Sequence, residues 1–379
     1  MTSLACPPAF AALLLAALAT DSAAQSSATL YGTIDLGIRS VHNGGLGSKT
    51  TLSSGGYRIS RLGLRGSEEL GAGWQAGFRL EALINADTGK LGSPTLAEHF
   101  WNRHSYLEIG SSVHGRLRLG YDNTPTHRLW LDNEPWLIGI GSSGNLFDTP
   151  QNGPWREVFG PVSRFETTMY YARNMLQYLS PRFGGFSGEL AYALREGDVS
   201  ASGAAGMRQY RLSYDAGPFA AGFSQSRSEA QVVAGGPARR LTDSVASVSY
   251  DLDGARLALS WRQFRAAGSK ESVVRFTAIL PMPHGHLNAS YARSRQAGRI
   301  DAHPAPGTRA GPIDGNGSTQ LALGYVYPLS RRTSLYANVA RLSNRGASFL
   351  ALPGGPPTTA GNFAGGRSTG VDAGITHAF

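Results

Sequence analysis

The chain has a single cysteine, Cys6, among its 379 residues, so no disulfide framework can hold it together. Long apolar runs are also missing. Beyond residue 24, no stretch reaches the roughly 18 uninterrupted apolar residues that indicate a membrane-spanning helix. These two shortages exclude a disulfide-rich secreted fold and a helical membrane protein.

The one short apolar run lies at the amino terminus, over Phe10–Ala19, and Ser22-Ala23-Ala24 follow it. The run is too short to cross a bilayer as a helix, and small residues after such a run are what a signal peptidase reads. This pattern predicts a cleaved secretory signal over residues 1–24 and a mature chain over 25–379. No Lys or Arg precedes the run, which departs from the usual signal pattern and leaves the true translation start open.

Acidic residues are the scarcer charge, with 26 Asp and Glu against 35 Lys and Arg. Removal of the predicted signal takes away Asp21, which leaves 25 acidic residues and a balance of +10 (35 minus 25). On a cytosolic protein this excess would indicate nucleic acid or an anionic surface. The predicted export signal argues against that interpretation, so we expect no nucleic-acid partner.

Alternation of apolar with small or polar side chains recurs along the mature chain in windows of eight to eleven residues. Leu30–Arg39, Trp74–Glu81, Phe186–Arg195 and Gly370–Phe379 are examples. A period of two predicts strands, because a helix repeats every 3.6 residues. Hydrophobic residues make up 41% of the chain, which suits a barrel in which half of each strand faces water.

The alternation predicts sixteen strands, beginning near residues 29, 57, 73, 100, 115, 174, 185, 206, 218, 242, 254, 271, 285, 317, 333 and 369. Connections after even strands are tight. Those after odd strands are mostly long, as in Ser40–Gly56, Asn85–His99, Asp122–Arg173, Gln296–Gly315 and Asn344–Ser368. An even strand count with loops sorted by parity predicts an all-β fold, a 16-stranded antiparallel transmembrane β-barrel.

A soluble β-sandwich or β-helix is the alternative, because period two and turn glycines suit those folds as well. Sixteen long strands would then need a second apolar core, which the composition hardly supplies. Aromatic residues also cluster near the predicted strand ends, as interfacial girdles do. They are Tyr31, Trp74, Tyr121, Tyr178, Tyr214, Tyr250, Tyr325 and Tyr327.

The third long connection, residues 122–173, is far longer than an ordinary hairpin loop, and such loops are usually functional or disordered. It contains Trp130, Trp136, Phe147 and Trp155, whose apolar surface needs a place to pack. A sixteen-strand barrel otherwise leaves an open channel. We therefore predict that this loop folds into the lumen as a constriction loop. An external cap or receptor-binding loop is the alternative.

Several stretches resemble the trimeric general porin family of Gram-negative bacteria, over nearly the whole mature chain. They are Ser27–Leu36, Ser60–Ala76, Phe78–Glu81, Asn85–Gly89, Arg173–Gly188 and the terminal Phe379. Gly120-Tyr121 departs from the family, which commonly has Gly-Arg there, and no basic residue directly precedes Phe379. The resemblance implies a homotrimer in outer-membrane lipid that passes small hydrophilic solutes and ions, with Phe379 as a signal to the assembly machinery.

The resemblance also implies a constriction where acidic loop residues face a basic wall. Alternation places four arginines on the inner face, and a fifth lies near the start of the sixth strand: Arg39, Arg61, Arg79, Arg118 and Arg173. The candidate acidic residues of the loop are Asp132, Glu134, Asp148 and Glu157. Rings of arginine favour anions, so we predict anion preference. The alternative for each inner arginine is a rim position or a pair with Glu81 or Glu108.

Other functions find little support in the motifs. Gly139–Gly144 fits G-x-G-x-x-G but opens no helix after a parallel strand, and His284 and His286 flank a predicted turn without further metal ligands. No Ser/His/acid set clusters as a lipase or protease would need. We expect no catalytic residues, metal or cofactor, and a substrate-specific channel or adhesin on the same barrel is the alternative function.

Overall fold

The fold is known from a computed structural model, which describes residues 27–92, 99–147, 153–159, 169–195, 206–230, 238–300 and 310–379. The predicted signal segment, residues 1–24, lies outside the described residues, so its cleavage stays a prediction.

Sixteen antiparallel strands of the described residues form the barrel sheet, and two short strands, Lys90–Leu91 and Gly311–Pro312, pair with its ends at residues 84–85 and 299–300. The sixteen strands are β1 Ser27–Asn43, β2 Gly47–Ser54 continued by Arg61–Gly71, β3 Trp74–Asn85, β4 His104–Ser111, β5 Gly115–Asn123, β6 Tyr171–Leu179, β7 Phe186–Ala193, β8 Gly206–Ala216, β9 Phe219–Ala230, β10 Arg239–Leu252, β11 Ala255–Arg265, β12 Ser269–Met282, β13 Gly285–Ile300, β14 Gly317–Pro328, β15 Thr333–Arg345 and β16 Arg367–Ala378. Each strand pairs with its neighbours in sequence, and β1 pairs with β16 from Thr33↔Ala378 to Asn43↔Ser368. The barrel is closed, which confirms the predicted fold.

The two faces of the sheet differ as the alternation predicts. On β16, Val371 and Ile375 point outward and are exposed, while Ser368 and Asp372 point inward and are buried. Successive side chains of a strand lie on opposite faces, so every strand contributes to an apolar outer surface and a polar interior. Among the described residues, no helix is long and apolar enough to cross a membrane.

Aromatic side chains gather on the outer surface near the short turns. Trp74 stacks on His114 at 5.4 Å, and Phe186, Tyr214 and Phe219 form a continuous series of ring contacts. Two of the predicted girdle residues are elsewhere. Tyr31 faces inward and donates a hydrogen bond to Glu81 Oε2 at 2.8 Å, and Tyr121 stacks on the buried Tyr171.

The predicted long loop at Ser40–Gly56 is wrong. β1 and β2 continue as a hairpin to the turn at residues 44–46, with register from Asn43↔Gly47 to Leu36↔Ser54. The strand was missed because its Ser and Thr residues carry little apolar alternation. The connection after β1 is therefore short, although it follows an odd-numbered strand. The connection between β11 and β12 is also short.

A break in β2 is held by one carboxylate. Asp35 on β1 is fully buried and accepts hydrogen bonds from the backbone N–H groups of Gly56 at 2.9 Å, Tyr57 at 3.3 Å and Arg58 at 2.7 Å. The Tyr336 hydroxyl donates to the same carboxylate at 2.8 Å. The carboxylate thus satisfies three backbone donors that the interrupted ladder leaves without strand partners.

Replacement of this carboxylate tests the break. We expect Asp35→Ala to lower the free energy of unfolding by about 3 kcal/mol, because it removes the acceptor of three backbone donors, two of them in buried residues. Tyr336→Phe removes one donor from the same carboxylate and should cost about 1 kcal/mol. Denaturant unfolding of the purified barrel, followed by intrinsic fluorescence, measures both. Equal losses of unfolding free energy in the two variants would contradict the role of Asp35 at the break.

Candidate functional site: the lumen and its long loop

The described parts of the long connection between β5 and β6, residues 124–147, 153–159 and 169–170, contact the inner wall. The connection begins with the helix α1, Pro125–Leu131, which Thr124 caps by accepting a hydrogen bond from the His127 N–H and which has a proline in its first turn. The helix contacts β7, β8, β9 and β10. A short 3-10 helix at Ser143–Leu146 contacts β13 and β14, and the helix α2, Pro154–Phe159, contacts strands β9 to β12.

The tryptophans of this loop and its Phe147 are buried. Trp130, Trp136, Phe147 and Trp155 lie in one apolar cluster with inward-facing strand residues such as Phe264. The rings of Phe147 and Phe264 are 5.5 Å apart. These side chains therefore pack against the inner faces of the strands.

Polar groups tie the loop to the same wall. Trp136 Nε1–H donates to Asn338 Oδ1 at 2.9 Å, and Asn133 Nδ2 donates to Ser247 Oγ at 2.7 Å. Gln320 Nε2 lies within hydrogen-bond distance of three successive loop carbonyls, those of residues 140, 141 and 142. All three wall residues are buried, so these bonds join the loop to the inner faces of β10, β14 and β15.

The predicted acidic residues pair with the wall on which the loop packs. Glu134 accepts a hydrogen bond from Arg275 Nη1 at 2.7 Å, and both side chains are buried. Asp132 accepts from Arg211 at 2.6 Å. Glu157 accepts from Ser269 Oγ at 2.5 Å and lies 3.9 Å from Arg239. Asp148 lies outside the described residues.

Burial raises the pKa of the Glu134 carboxyl, and the opposing effect of the Arg275 guanidinium offsets this only in part. Arg275 also donates to the Trp130 carbonyl at 2.8 Å and lies over the Trp130 ring at 4.0 Å. One buried arginine on β12 therefore holds both the start and the middle of the described loop.

Three arginines of the opposite wall share one carboxylate. The distances from Glu81 to Arg61, Arg79 and Arg103 are 3.7, 2.7 and 2.6 Å. We call these four residues the Glu81 cluster. Arg61 and Arg79 were among the predicted wall residues. Arg103 was missed, because it precedes β4 in a connection, where alternation assigns no face.

The other predicted wall residues have separate partners. Arg39 bonds Asp372 at 3.2 Å, and Arg118 bonds Glu108 at 2.8 Å and also Asp122. The structure thus brings Arg61 and Arg79 together but places Arg39 and Arg118 in pairs of their own. Arg173 lies at the loop end of β6, where it is within hydrogen-bond distance of His99 Nε2 at 3.0 Å.

Arginines and carboxylates differ in their access to solvent. The side chains of Arg79 and Arg61 are 34% and 26% exposed, whereas that of Glu81 is 0% exposed. Arg128, a second cation that sequence reasoning missed, is 24% exposed and bonds Glu189, which is 7% exposed. Asp132, at 41%, is more exposed than its partner Arg211, and Glu108, at 23%, is more exposed than Arg118, at 10%. At Glu81 and Glu189, by contrast, the arginines face water and the carboxylate lies behind them.

Other motifs give no site. Gly139–Gly144 runs through the loop into the 3-10 helix, and a Cβ at Gly139 would lie 2.9 Å from the carbonyl oxygens of Gly55 and Gly56. The first glycine of the motif is therefore explained by a close backbone approach. Within the described ranges, no group of three or more His, Cys, Asp or Glu residues is placed to hold a metal ion.

The closed barrel and its charged interior agree with comparisons to known proteins. A model of the Gram-negative porin family matches residues 9–347. The chain belongs to that family. Porins are passive channels, so this porin is an outer-membrane channel protein and not an enzyme.

Full-length relatives support the assignment. Outer membrane porin protein 32 of Delftia acidovorans is 31% identical, over 97% of this porin and 99% of that protein. An outer membrane porin protein of Bordetella pertussis is 26% identical, over 97% and 98%. The solved structure of an anion-selective porin from Comamonas acidovorans covers 94% of this porin and all of its own chain, with 31% identity and a TM-score of 0.75.

Arg275 provides a test of how the loop is held. We expect Arg275→Met to weaken the attachment of the loop by about 3 to 5 kcal/mol, because it leaves the buried Glu134 carboxyl without its ion-pair partner. Single-channel recordings should then show larger and noisier conductance than the parent. Arg295→Met, on the exposed outer face of β13, is the matched control.

The double variant Glu134→Gln with Arg275→Met leaves no buried charge and should restore quiet channels. Parent-like recordings from Arg275→Met alone would contradict the role of this pair.

Proposed function

We propose that the long loop narrows the lumen of this porin and that the narrowed pore passes small hydrophilic solutes with a preference for anions. The observation that carries the proposal is the Glu81 cluster, in which three guanidinium groups surround one buried carboxylate. Each arginine keeps its charge at any physiological pH. The cluster therefore has an excess of positive charge, and its exposed parts are arginine.

The position of the loop supports the narrowing. Its described parts bond to β10, β12, β14 and β15, while the Glu81 cluster lies around β2, β3 and the start of β4. The loop also reaches the β2 side, where Gly139 approaches the carbonyl oxygens of Gly55 and Gly56, so it narrows the interior beside the Glu81 cluster. Predicted acids on the loop are paired with arginines of their own wall, so few carboxylates oppose the cluster.

The relative from Comamonas acidovorans, which is named an anion-selective porin, supports the same preference for this chain. Lumen-facing guanidinium groups attract anions because the field of a charge is screened less in a narrow, low-dielectric pore than in bulk water. The substrate-specific channel is the alternative, and saturable block of the current by one class of solute would favour it.

The proposal is tested by the Arg61→Gln and Arg79→Gln double variant. In a planar bilayer with a roughly tenfold gradient of potassium chloride, the parent should give a zero-current potential of the sign that chloride sets. The double variant should shift this potential toward zero, because lumen substitutions change selectivity more than folding. The matched control is Arg295→Gln with Arg341→Gln, two exposed arginines on the outer face. A cation-selective parent would contradict the proposal.

We further propose that this porin is a homotrimer and that Phe379 serves as a signal to the assembly machinery, as the family resemblance implies. The main chain of Phe379 exchanges two hydrogen bonds with Gly32, at 3.0 and 3.1 Å, and its ring is exposed on the outer face. The ring is therefore accessible to a partner protein, while the main chain of Phe379 completes the pairing of the last strand with β1.

Gel migration of outer-membrane fractions, with and without boiling, tests both proposals. The parent should run as a large species that boiling converts to a monomer. Phe379→Ala should reduce the amount of that species in cells, whereas purified protein refolded in detergent should give it normally. Monomer in unboiled samples of the parent would contradict trimerisation, and unchanged amounts of Phe379→Ala would contradict the signal.

A further inference from the structure

A cavity of about 330 Å³ lies between the long loop and the wall that carries the Glu81 cluster. The loop contributes Leu131, Leu137 and Ile138 to its lining, and the facing wall contributes Ile59 and Leu83. Small-molecule sites have volumes of about 300 to 1,000 Å³, so this cavity has room for one small solute. We call this space the loop cavity.

The loop turns apolar side chains toward the loop cavity. Trp130 and Trp136 are buried, whereas the residues that follow them, Leu131 and Leu137, are only half-buried and line the cavity. The face of the loop that was predicted to be acidic is therefore largely apolar in its described part. A solute that covers these leucines gains free energy in proportion to the apolar area that it removes from water.

A guanidinium group lies at the same cavity. Arg103 is part of the lining, and its side chain is only 10% exposed. Its Nε–H donates to Glu81 Oε1 at 2.6 Å, and within the described residues its Nη1 and Nη2 groups make no hydrogen bond. Buried N–H groups of this kind nearly always have a partner. These two nitrogens can therefore donate a pair of hydrogen bonds to a carboxylate, which is the geometry that a guanidinium group suits best.

The other charges of the lining do not oppose an anion. Arg39 is a second guanidinium group there, and its Nη2 donates to the Gly55 carbonyl at 3.0 Å. Glu134 is the only carboxylate among the lining residues that the structure describes, and Arg275 bonds it at 2.7 Å from the wall behind the loop. The loop cavity thus combines two cations, one neutralised carboxylate and an apolar side.

We propose that the loop cavity binds monocarboxylates that carry an aromatic ring, with the carboxylate on the Nη groups of Arg103 and the ring against Leu131 and Leu137. The rings of Trp130 and Tyr171 also line the cavity. They favour an aromatic solute over an aliphatic one, because ring pairs attract each other beyond their buried area. The inference rests on the proposed anion-preferring pore and names a class of solute for it. Retention of one class moves this porin toward the substrate-specific alternative without changing the sign of its ion preference.

Block of the chloride current in planar bilayers by benzoate and by acetate tests the proposal, because the two anions share a carboxylate and differ in the ring. We expect benzoate to half-block the parent at a concentration about tenfold to thirtyfold lower than acetate, since only benzoate removes a ring from water. The zero-current potential in potassium chloride, measured on the same bilayers, reports the anion preference separately. An anion-selective parent that both acids block alike would overturn this inference alone, whereas a cation-selective parent would contradict the proposed function.

Variants separate the role of the ring from that of the carboxylate. Leu131→Asn with Leu137→Asn should raise the half-blocking concentration of benzoate to that of acetate and leave the zero-current potential unchanged. Leu131→Met with Leu137→Met is the matched control, which keeps the apolar surface and should keep the preference for benzoate. Loss of that preference in the methionine control, or its survival in the asparagine variant, would overturn the site.

Removal of the cation gives a different result. Arg103→Gln should weaken the block by benzoate and by acetate to the same extent, because both anions use the same guanidinium group. Arg295→Gln, on the exposed outer face of β13, should change neither. A change confined to benzoate in Arg103→Gln would contradict the assignment of the carboxylate to this arginine.

Discussion

Pairing of arginine with carboxylate inside a closed sheet is the interaction on which this structure depends. The closure of β1 on β16 turns half of every strand inward, so many polar side chains must find partners inside the barrel, beside the apolar cluster under the loop. Arg275 with Glu134 fixes the loop, Arg39 with Asp372 joins the strands at the seam, and Glu81 gathers three arginines. A buried carboxylate left alone would cost several kcal/mol, so each of these pairs also fixes geometry.

The same pairing produces the functional asymmetry. A carboxylate in the wall is short and lies near the strand backbone, whereas an arginine is long enough to bond it and still reach water. Arg79 and Glu81 show this difference within a single strand. At Glu81 and Glu189 the wall therefore contains acidic residues and still presents positive charge to a passing solute. Counting charges in the sequence does not reveal this layering, because it depends on side-chain length and position.

Sequence patterning predicted the strands well because the period of two is a local property of each segment. It failed at Gly47–Ser54, because both faces of that strand are mostly polar and hydrophobicity does not alternate there. It placed Arg61 and Arg79 on the inner face correctly, yet it missed Arg103 and Arg128, which lie outside the strands. It could not predict the partners of Asp132, Glu134 and Glu157, because each of these contacts joins residues more than seventy-five positions apart.

Anomalous diffraction from crystals soaked in rubidium bromide tests the central claim most directly, because it locates anions and cations in the same lumen. The account predicts bromide peaks beside Arg61 and Arg79, with rubidium absent from the neighbourhood of Glu81. Rubidium bound along that wall, or bromide confined to the outer surface, would contradict an interior in which arginines face the solute and carboxylates lie behind them.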